Sequence, residues 1–105
     1  MANHSQSERG MNESNLSDDA LAELLTLSVE ADEYGTTYYR NQLGQFHRVH
    51  GPAVIYSDGS KHWCIMGQRH RTDGPAVEWS DGVNWWFMNG QRFSEEEFHE
   101  RTQSL

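Results

Sequence analysis

Residues 46–59 read FHRVHGPAVIYSDG, and residues 69–82 read RHRTDGPAVEWSDG. One block has been written twice at an offset of 23 residues. The register extends beyond it. Gly44, Gly67 and Gly90 align, as do Gln45, Gln68 and Gln91, and Trp63 with Trp86. Gly51 aligns with Gly74, Pro52 with Pro75, and Asp58-Gly59 with Asp81-Gly82. Chance does not place so many Gly, Pro and Trp at one offset, and a period of this length marks a repeat architecture.

Asp-Gly and Asn-Gly between apolar runs are strong hairpin signals, because both turn residues tolerate positive φ. Two-residue turns at Asp58-Gly59 and Asp81-Gly82 predict Val54 opposite Trp63 and Val77 opposite Trp86. Alternation then puts Val54, Tyr56, Trp63 and Ile65 on one face, with Val77, Trp79, Trp86 and Met88. That face is the expected core. His62, Trp85 and Phe87 fall on the other. Turns at Met66-Gly67 and Asn89-Gly90 predict Trp63 opposite His70 and Trp86 opposite Phe93. Gly59, Gly67, Gly82 and Gly90 thus all sit in reversals. Because Phe93 takes the position of His70, the repeat histidine reads as a packing residue, and His70→Phe is expected to be tolerated. The first copy has Arg40 where the others have tryptophan, and so reads as a degenerate terminal repeat. Pro52 and Pro75 lack an N–H and suit the start of a strand or an edge.

The pattern G-x-x-H-R-x-x-G-P-A-V-x-x-x-D-G-x-x-x-W-x-x-x-G resembles a variant of the MORN-type β-hairpin repeat. It is carried by GQFHRVHGPAVIYSDGSKHWCIMG and GQRHRTDGPAVEWSDGVNWWFMNG. The resemblance covers about residues 38–93. Similar repeats occur in small bacterial and phage proteins, and one related group includes the antitoxin of a bacterial toxin pair. The resemblance implies a hairpin meander. It also implies a binder of one partner protein, a host or toxin enzyme, in a phage counter-defence or antitoxin-like setting.

The flanks differ from the repeat. Residues 1–15 are polar and read as a disordered tail. Residues 16–35 read as an amphipathic helix. Ser17 is its N-cap, Asp18 and Asp19 suit its positive end, Leu16 and Leu21 have staple spacing, and Gly35 is its stop. Its leucine stripe, Leu21, Leu24 and Leu25 with Leu27 beside it, is expected to pack on the sheet. Residues 36–93 form the β-hairpin repeat domain. Residues 94–105 hold a short helix and tail, with a Ser94/Glu97 capping box and a Phe93/Phe98 staple. The fold class expected is mainly β (α+β): an antiparallel meander of repeated hairpins with an N-terminal helix and a short C-terminal one.

The chain has 105 residues, net charge −8 and a single cysteine, Cys64. No intrachain disulfide can form, which fits a reducing cytoplasm, the host's if phage-encoded. No apolar run reaches the length of a membrane span. Charge is segregated: residues 1–35 carry eight acids and one base, residues 36–93 four acids and six bases, and residues 94–105 four acids and one base. The negative balance disfavours direct nucleic-acid binding and anionic lipid. Arg69 and Arg71 near Trp85 are the one stacking platform the pattern offers.

Chemistry finds little foothold. His47 and His50 point to opposite faces of a strand, short of the three or four converging ligands of a zinc site. The Cys64 position holds Phe87 in the next copy, and the glycines are all repeat turns. No metal, cofactor or catalytic residue is expected. The function expected is a non-enzymatic protein-binding module, an inhibitor that neutralises a partner. Its candidate contacts are the aromatic set Trp85, Phe87 and His62 and two acidic sets, Asp18, Asp19 and Glu23, and Glu95, Glu96 and Glu97. The acids could block a basic nucleic-acid groove on the partner. The alternative is a structural or assembly module forming a homodimer, and a small hydrolase or metal-binding protein comes third.

Overall fold

The computed structural model describes residues 16–103; the stretch 1–15, expected to be a disordered tail, lies outside the described residues. In chain order the elements are α1 (Asp18–Leu24), β1 (Ser28–Ala31), β2 (Thr37–Arg40), β3 (Val54–Ile55), β4 (Lys61–His62) and β5 (Cys64–Ile65). They continue as β6 (Gln68–Arg69), β7 (Val77–Glu78), β8 (Asn84–Met88), β9 (Gln91–Phe93) and α2 (Glu95–Thr102). Seven strands form an antiparallel sheet in the order β1-β2-β3-β4-β7-β8-β9, and β5 pairs with β6. The mainly β meander with two flanking helices is therefore what the chain forms.

The repeat is a long run followed by a return made of two short pieces. In the second copy β4 and β5 are halves of one extended run, residues 61–65. Its first half lies between β3 and β7, and its second half pairs with β6. The return piece of each copy also bonds forward to the next long run. Gly67 N–H donates to Phe46 O at 2.8 Å and Arg48 N–H to Cys64 O at 3.0 Å. One copy on, Gly90 N–H donates to Arg69 O at 2.9 Å and Arg71 N–H to Phe87 O at 3.2 Å. These four bonds satisfy return-strand backbone groups in the neighbouring copy and tie the copies together.

The register differs from expectation by one residue. Val54 lies opposite His62, and Val77 opposite Trp85, in place of Trp63 and Trp86. The cause is the turn at Asp58-Gly59. Gly59 takes φ 93° while Asp58 keeps a negative φ. Gly59 N–H donates to Tyr56 O at 3.0 Å, and Tyr56 N–H to Ser60 O at 2.9 Å. This is a three-residue loop, a type I turn followed by a left-handed glycine, and the Asp58 carboxylate accepts the Ser60 N–H at 2.8 Å. Asp81-Gly82 repeats it. A slip of one residue exchanges the faces, so the expected core set is divided. Val54, Tyr56, Val77 and Trp79 lie with His62, Trp85 and Phe87; Trp63, Ile65, Trp86 and Met88 lie on the opposite face. The other reversals follow expectation. Met66 and Asn89 have φ 50° and 51° with glycine next, and Trp86 faces Phe93.

The helix expected over 16–35 is cut short. α1 ends at Leu24, and residues 28–36 form a hairpin with β2. The β-branched and aromatic residues of β2 provide a ladder that a lone helix end lacks. Gly35 has φ 86° as the hairpin's left-handed residue, and Asp32 Oδ1 accepts the N–H groups of Tyr34 and Thr36. Of the leucine stripe, Leu25 is 89% exposed, and Ala20 is the buried residue of α1. α2 matches expectation, with the capping box formed and Phe93 and Phe98 both buried.

The repeat histidine does more than pack. His47 Nδ1 accepts the Met66 N–H at 2.9 Å, and His70 Nδ1 accepts the Asn89 N–H at 2.9 Å. Each holds the positive-φ residue of the next copy's turn. Phe93 has no following turn to hold, which is why phenylalanine serves there. His70→Phe therefore removes a turn-holding bond, against the tolerance expected from the repeat. The first copy is also less degenerate than expected. His47 N–H donates to Tyr39 O as His70 N–H donates to Trp63 O, so Tyr39, at an offset of 24, stands where the tryptophan stands.

His70→Phe should lower stability in chemical denaturation by about 1 kcal/mol, the net worth of one hydrogen bond. An unchanged midpoint would show that the histidine bond contributes nothing. A Cβ on Gly74 would sit 2.7 Å from Arg71 Cζ. Gly74→Ala should therefore displace that guanidinium from Pro75 O and the Trp63 ring and cost about 1 kcal/mol, the net worth of one hydrogen bond.

Candidate interaction site

Side-chain alternation divides the sheet into a ring face and a helix face. The helix face carries Trp86, whose ring lies 4.9 Å from that of Phe98 of α2. It also carries a cavity of about 660 Å³ whose lining includes Leu16, which precedes α1, and Ala20 of α1 with Trp63, Ile65 and His70. Arg48 and Arg71 lie over Tyr39 and Trp63, with guanidinium carbons 4.1 and 3.7 Å from the ring centroids. Both press on the following glycine, and both donate to a proline carbonyl, Arg71 to Pro75 O at 3.1 Å. His-Arg-x-x-Gly-Pro is thus one structural device: histidine holds a turn, arginine covers a ring, and glycine makes room. The two copies differ in charge pairing. Arg71 Nε donates to Asp73 at 2.8 Å, whereas His50 stands in the Asp73 place and Arg48 Nε has no partner among the described residues.

α1 is fastened to this face by one carboxylate. Glu23 accepts the backbone N–H of Val49 at 2.5 Å and of His50 at 3.0 Å, and lies 3.2 Å from His50 Nδ1. Its side chain is 10% exposed. Burial works to raise the Glu23 pKa, but the two amides and the His50 ring outweigh it, and the carboxyl is held below its ordinary value. Glu23, expected to face a partner, is spent inside the molecule.

The ring face is where the sheet register gathers the expected aromatic set. His62, Trp85 and Phe87 share it with Tyr56 and Trp79. Tyr56, His62, Trp79 and Trp85 form an edge-to-face row with successive centroids 5.3 Å apart, a favourable geometry for ring quadrupoles. The row covers Val54 and Val77, which are buried with Cys64 and Phe87. Trp85 is half-buried and Phe87 is 8% exposed, so Phe87 is a core residue rather than a contact. Arg92 lies over Trp85 at 4.6 Å and Arg69 over Phe87 at 5.3 Å. Arg71 is on the other face, which dissolves the expected Arg69, Arg71 and Trp85 platform. Burial, and then the Arg69 charge, lower the His62 pKa and favour its neutral form. Burial raises that of the Cys64 thiol, against the opposing effect of Arg69, and so suppresses thiolate.

From β3 to β9 the strand positions of the ring face carry no carboxylate, although the chain carries −8. Tyr56, Trp79 and Arg92 belong to this face and were missed as site residues. Their signal was present, since Tyr56 aligns with Trp79 and Arg69 with Arg92 at the repeat offset, but the shifted register sent the first pair to the core. The acidic candidates do not join the rings. Asp18 and Asp19 are exposed in α1; Glu95 and Glu96 are exposed in α2, and Glu97 accepts the Ser94 N–H at 3.0 Å. Among the described residues no group of three His, Cys, Asp or Glu converges as a metal set, and no helix is long and apolar enough to cross a membrane. Comparison with protein-family models, curated proteins and solved structures found no match.

Lowering the pH should release α1. The Glu23 pKa is depressed on folding, so its contribution is present above the unfolded carboxyl value of about 4.3 and is lost as pH falls through the lower folded value. Protection of the α1 amides and of Val49 and His50 against hydrogen exchange should fall as pH drops below the ordinary carboxyl range. Glu23→Gln should accelerate exchange already at neutral pH, with a loss of about 1–2 kcal/mol from the charge-assisted bonds. Equal exchange in both proteins at neutral pH would remove the latch.

Proposed function

We propose that the chain is a non-enzymatic protein-binding module that neutralises its partner by docking the ring face onto a carboxylate-bearing patch. One observation carries this reading: the ring face joins half-buried tryptophans to Arg69 and Arg92 and has no acid on its central strands, within an acidic chain. Tryptophan and arginine dominate the energetics of protein interfaces. Exposed acids elsewhere orient the molecule, presenting this face to a negative surface and repelling it from the helix side. Stacking of nucleic-acid bases fits less well, because the rings already pack edge-to-face on one another and Arg92 lies over Trp85. Blocking of a basic groove by the acidic sets fits less well too. Glu23 and Glu97 are engaged internally and Glu95 lies 3.4 Å from His99 Nε2, which leaves Asp18, Asp19 and Glu96. The phage or antitoxin-like setting rests on the repeat resemblance.

The test uses a partner captured with the wild-type chain and then purified. Trp85→Ala should weaken binding by about 2 kcal/mol, roughly thirtyfold, as a central hot spot does. Arg69→Gln with Arg92→Gln should slow association and reduce its salt dependence. Neutralising Asp18, Asp19, Glu95 and Glu96 should leave affinity within a few-fold. A large loss in that acidic variant with an unchanged Trp85→Ala affinity would transfer the site to the helices.

A further inference from the structure

The repeat gives each internal return strand two long neighbours. β3 lies between β2 and β4, and β7 lies between β4 and β8. β1 is the equivalent strand of the first hairpin. Glu30 faces Tyr38 as Val54 faces His62 and Val77 faces Trp85. Yet among the described residues β1 has one neighbour, β2. Its ladder places the hydrogen-bonded pairs at 28, 30 and 32, since Asp32 N–H donates to Thr36 O and bonded pairs alternate. Val29 and Ala31 therefore direct their N–H and C=O groups outward, and among the described residues these have no partner. All four residues of β1 are exposed. The opposite end of the sheet is treated differently. Ser94 occupies the position of Arg48 and Arg71, whose N–H groups bond to the next copy, and the Glu97 carboxylate takes that N–H in the capping box.

We infer that β1 is an acceptor edge for an extended segment of the partner protein, with a lysine or arginine opposite Glu30. The occupant follows from charge. Exposed edges ordinarily carry a charge that penalises indiscriminate pairing, and Glu30 is that charge. Self-pairing that uses both Val29 and Ala31 places Glu30 directly across from its copy in a second molecule, and like charges so opposed are destabilising. A basic residue there instead joins Arg40, which lies 3.2 Å from Glu30, in neutralising it. Main-chain bonds would supply affinity and the residue at Glu30 the specificity. β1 and Trp85 lie at opposite ends of the sheet, so the inference rests on the protein-binding reading for its occupant but not for its site.

The probe is a capped five-residue peptide, Thr-Val-Lys-Val-Thr, titrated at millimolar concentration against the labelled full chain, with a second peptide carrying Glu at the centre. The expected result is shifted and exchange-protected amides at Val29 and Ala31, with affinity at least tenfold weaker for the Glu peptide. Val29→Pro removes an outward donor and no ladder bond, and should abolish the effect. Ala31→Pro is the second such variant, each checked for an unchanged circular dichroism spectrum. Trp85→Ala should leave peptide binding intact, so that loss of the ring-face reading and loss of this one are told apart. Absence of shifts at β1, equal binding of the two peptides, or a wild-type dimer that Val29→Pro dissolves would each overturn the proposal.

Discussion

The sheet depends on the clasp that each return strand places on the next copy. A neutral imidazole accepts the N–H of a positive-φ turn residue, and the adjacent guanidinium lies on a ring, against a glycine and under a proline carbonyl. A chain with a short core has little apolar burial to spend on aligning its hairpins. Directional contacts do that work here, because they are satisfied at one register and lost at any other. The acceptor nitrogen must be unprotonated, since a doubly protonated imidazole has no lone pair to offer.

That clasp also sorts the two faces. Arginine at the end of the return strand crosses to the helix face and covers Tyr39 or Trp63, while the arginine two residues earlier stays with the ring face and covers Phe87. The helix face then receives α2 on Trp86 and α1 through Glu23, and with them most of the negative charge. The ring face keeps Trp79 and Trp85 with Arg69 and Arg92. From β3 to β9 the strand carboxylate, Glu78, lies with Trp63 on the helix face, and the protein-binding proposal follows from that division.

The repeat ends are handled by substitution at fixed positions. Phe93 replaces the histidine that would have no turn to hold, and Ser94 with Glu97 replaces the arginine that would have no neighbour to bond. At the other end Tyr39 keeps the tryptophan's place at an offset of 24, because the Asn41–Gln45 turn carries one more residue than Ile65–Gln68. A single extra residue was enough to make the first copy look degenerate when aligned at 23.

Read alone, the sequence determined the period, the positive-φ glycines, the antiparallel meander, the Ser94/Glu97 cap and the common face of His62, Trp85 and Phe87. These are local or periodic properties, decided by backbone sterics and by side-chain alternation. Tertiary structure decided the rest. Whether Asp58-Gly59 closes two or three residues depends on ladders formed with other strands, and that one residue moved Val54 and Val77 to the face of the rings. Residues 28–31 became a strand because β2 offered them a partner. Glu23 became a latch because its target amides lie 26 and 27 residues away, a distance that no local pattern spans.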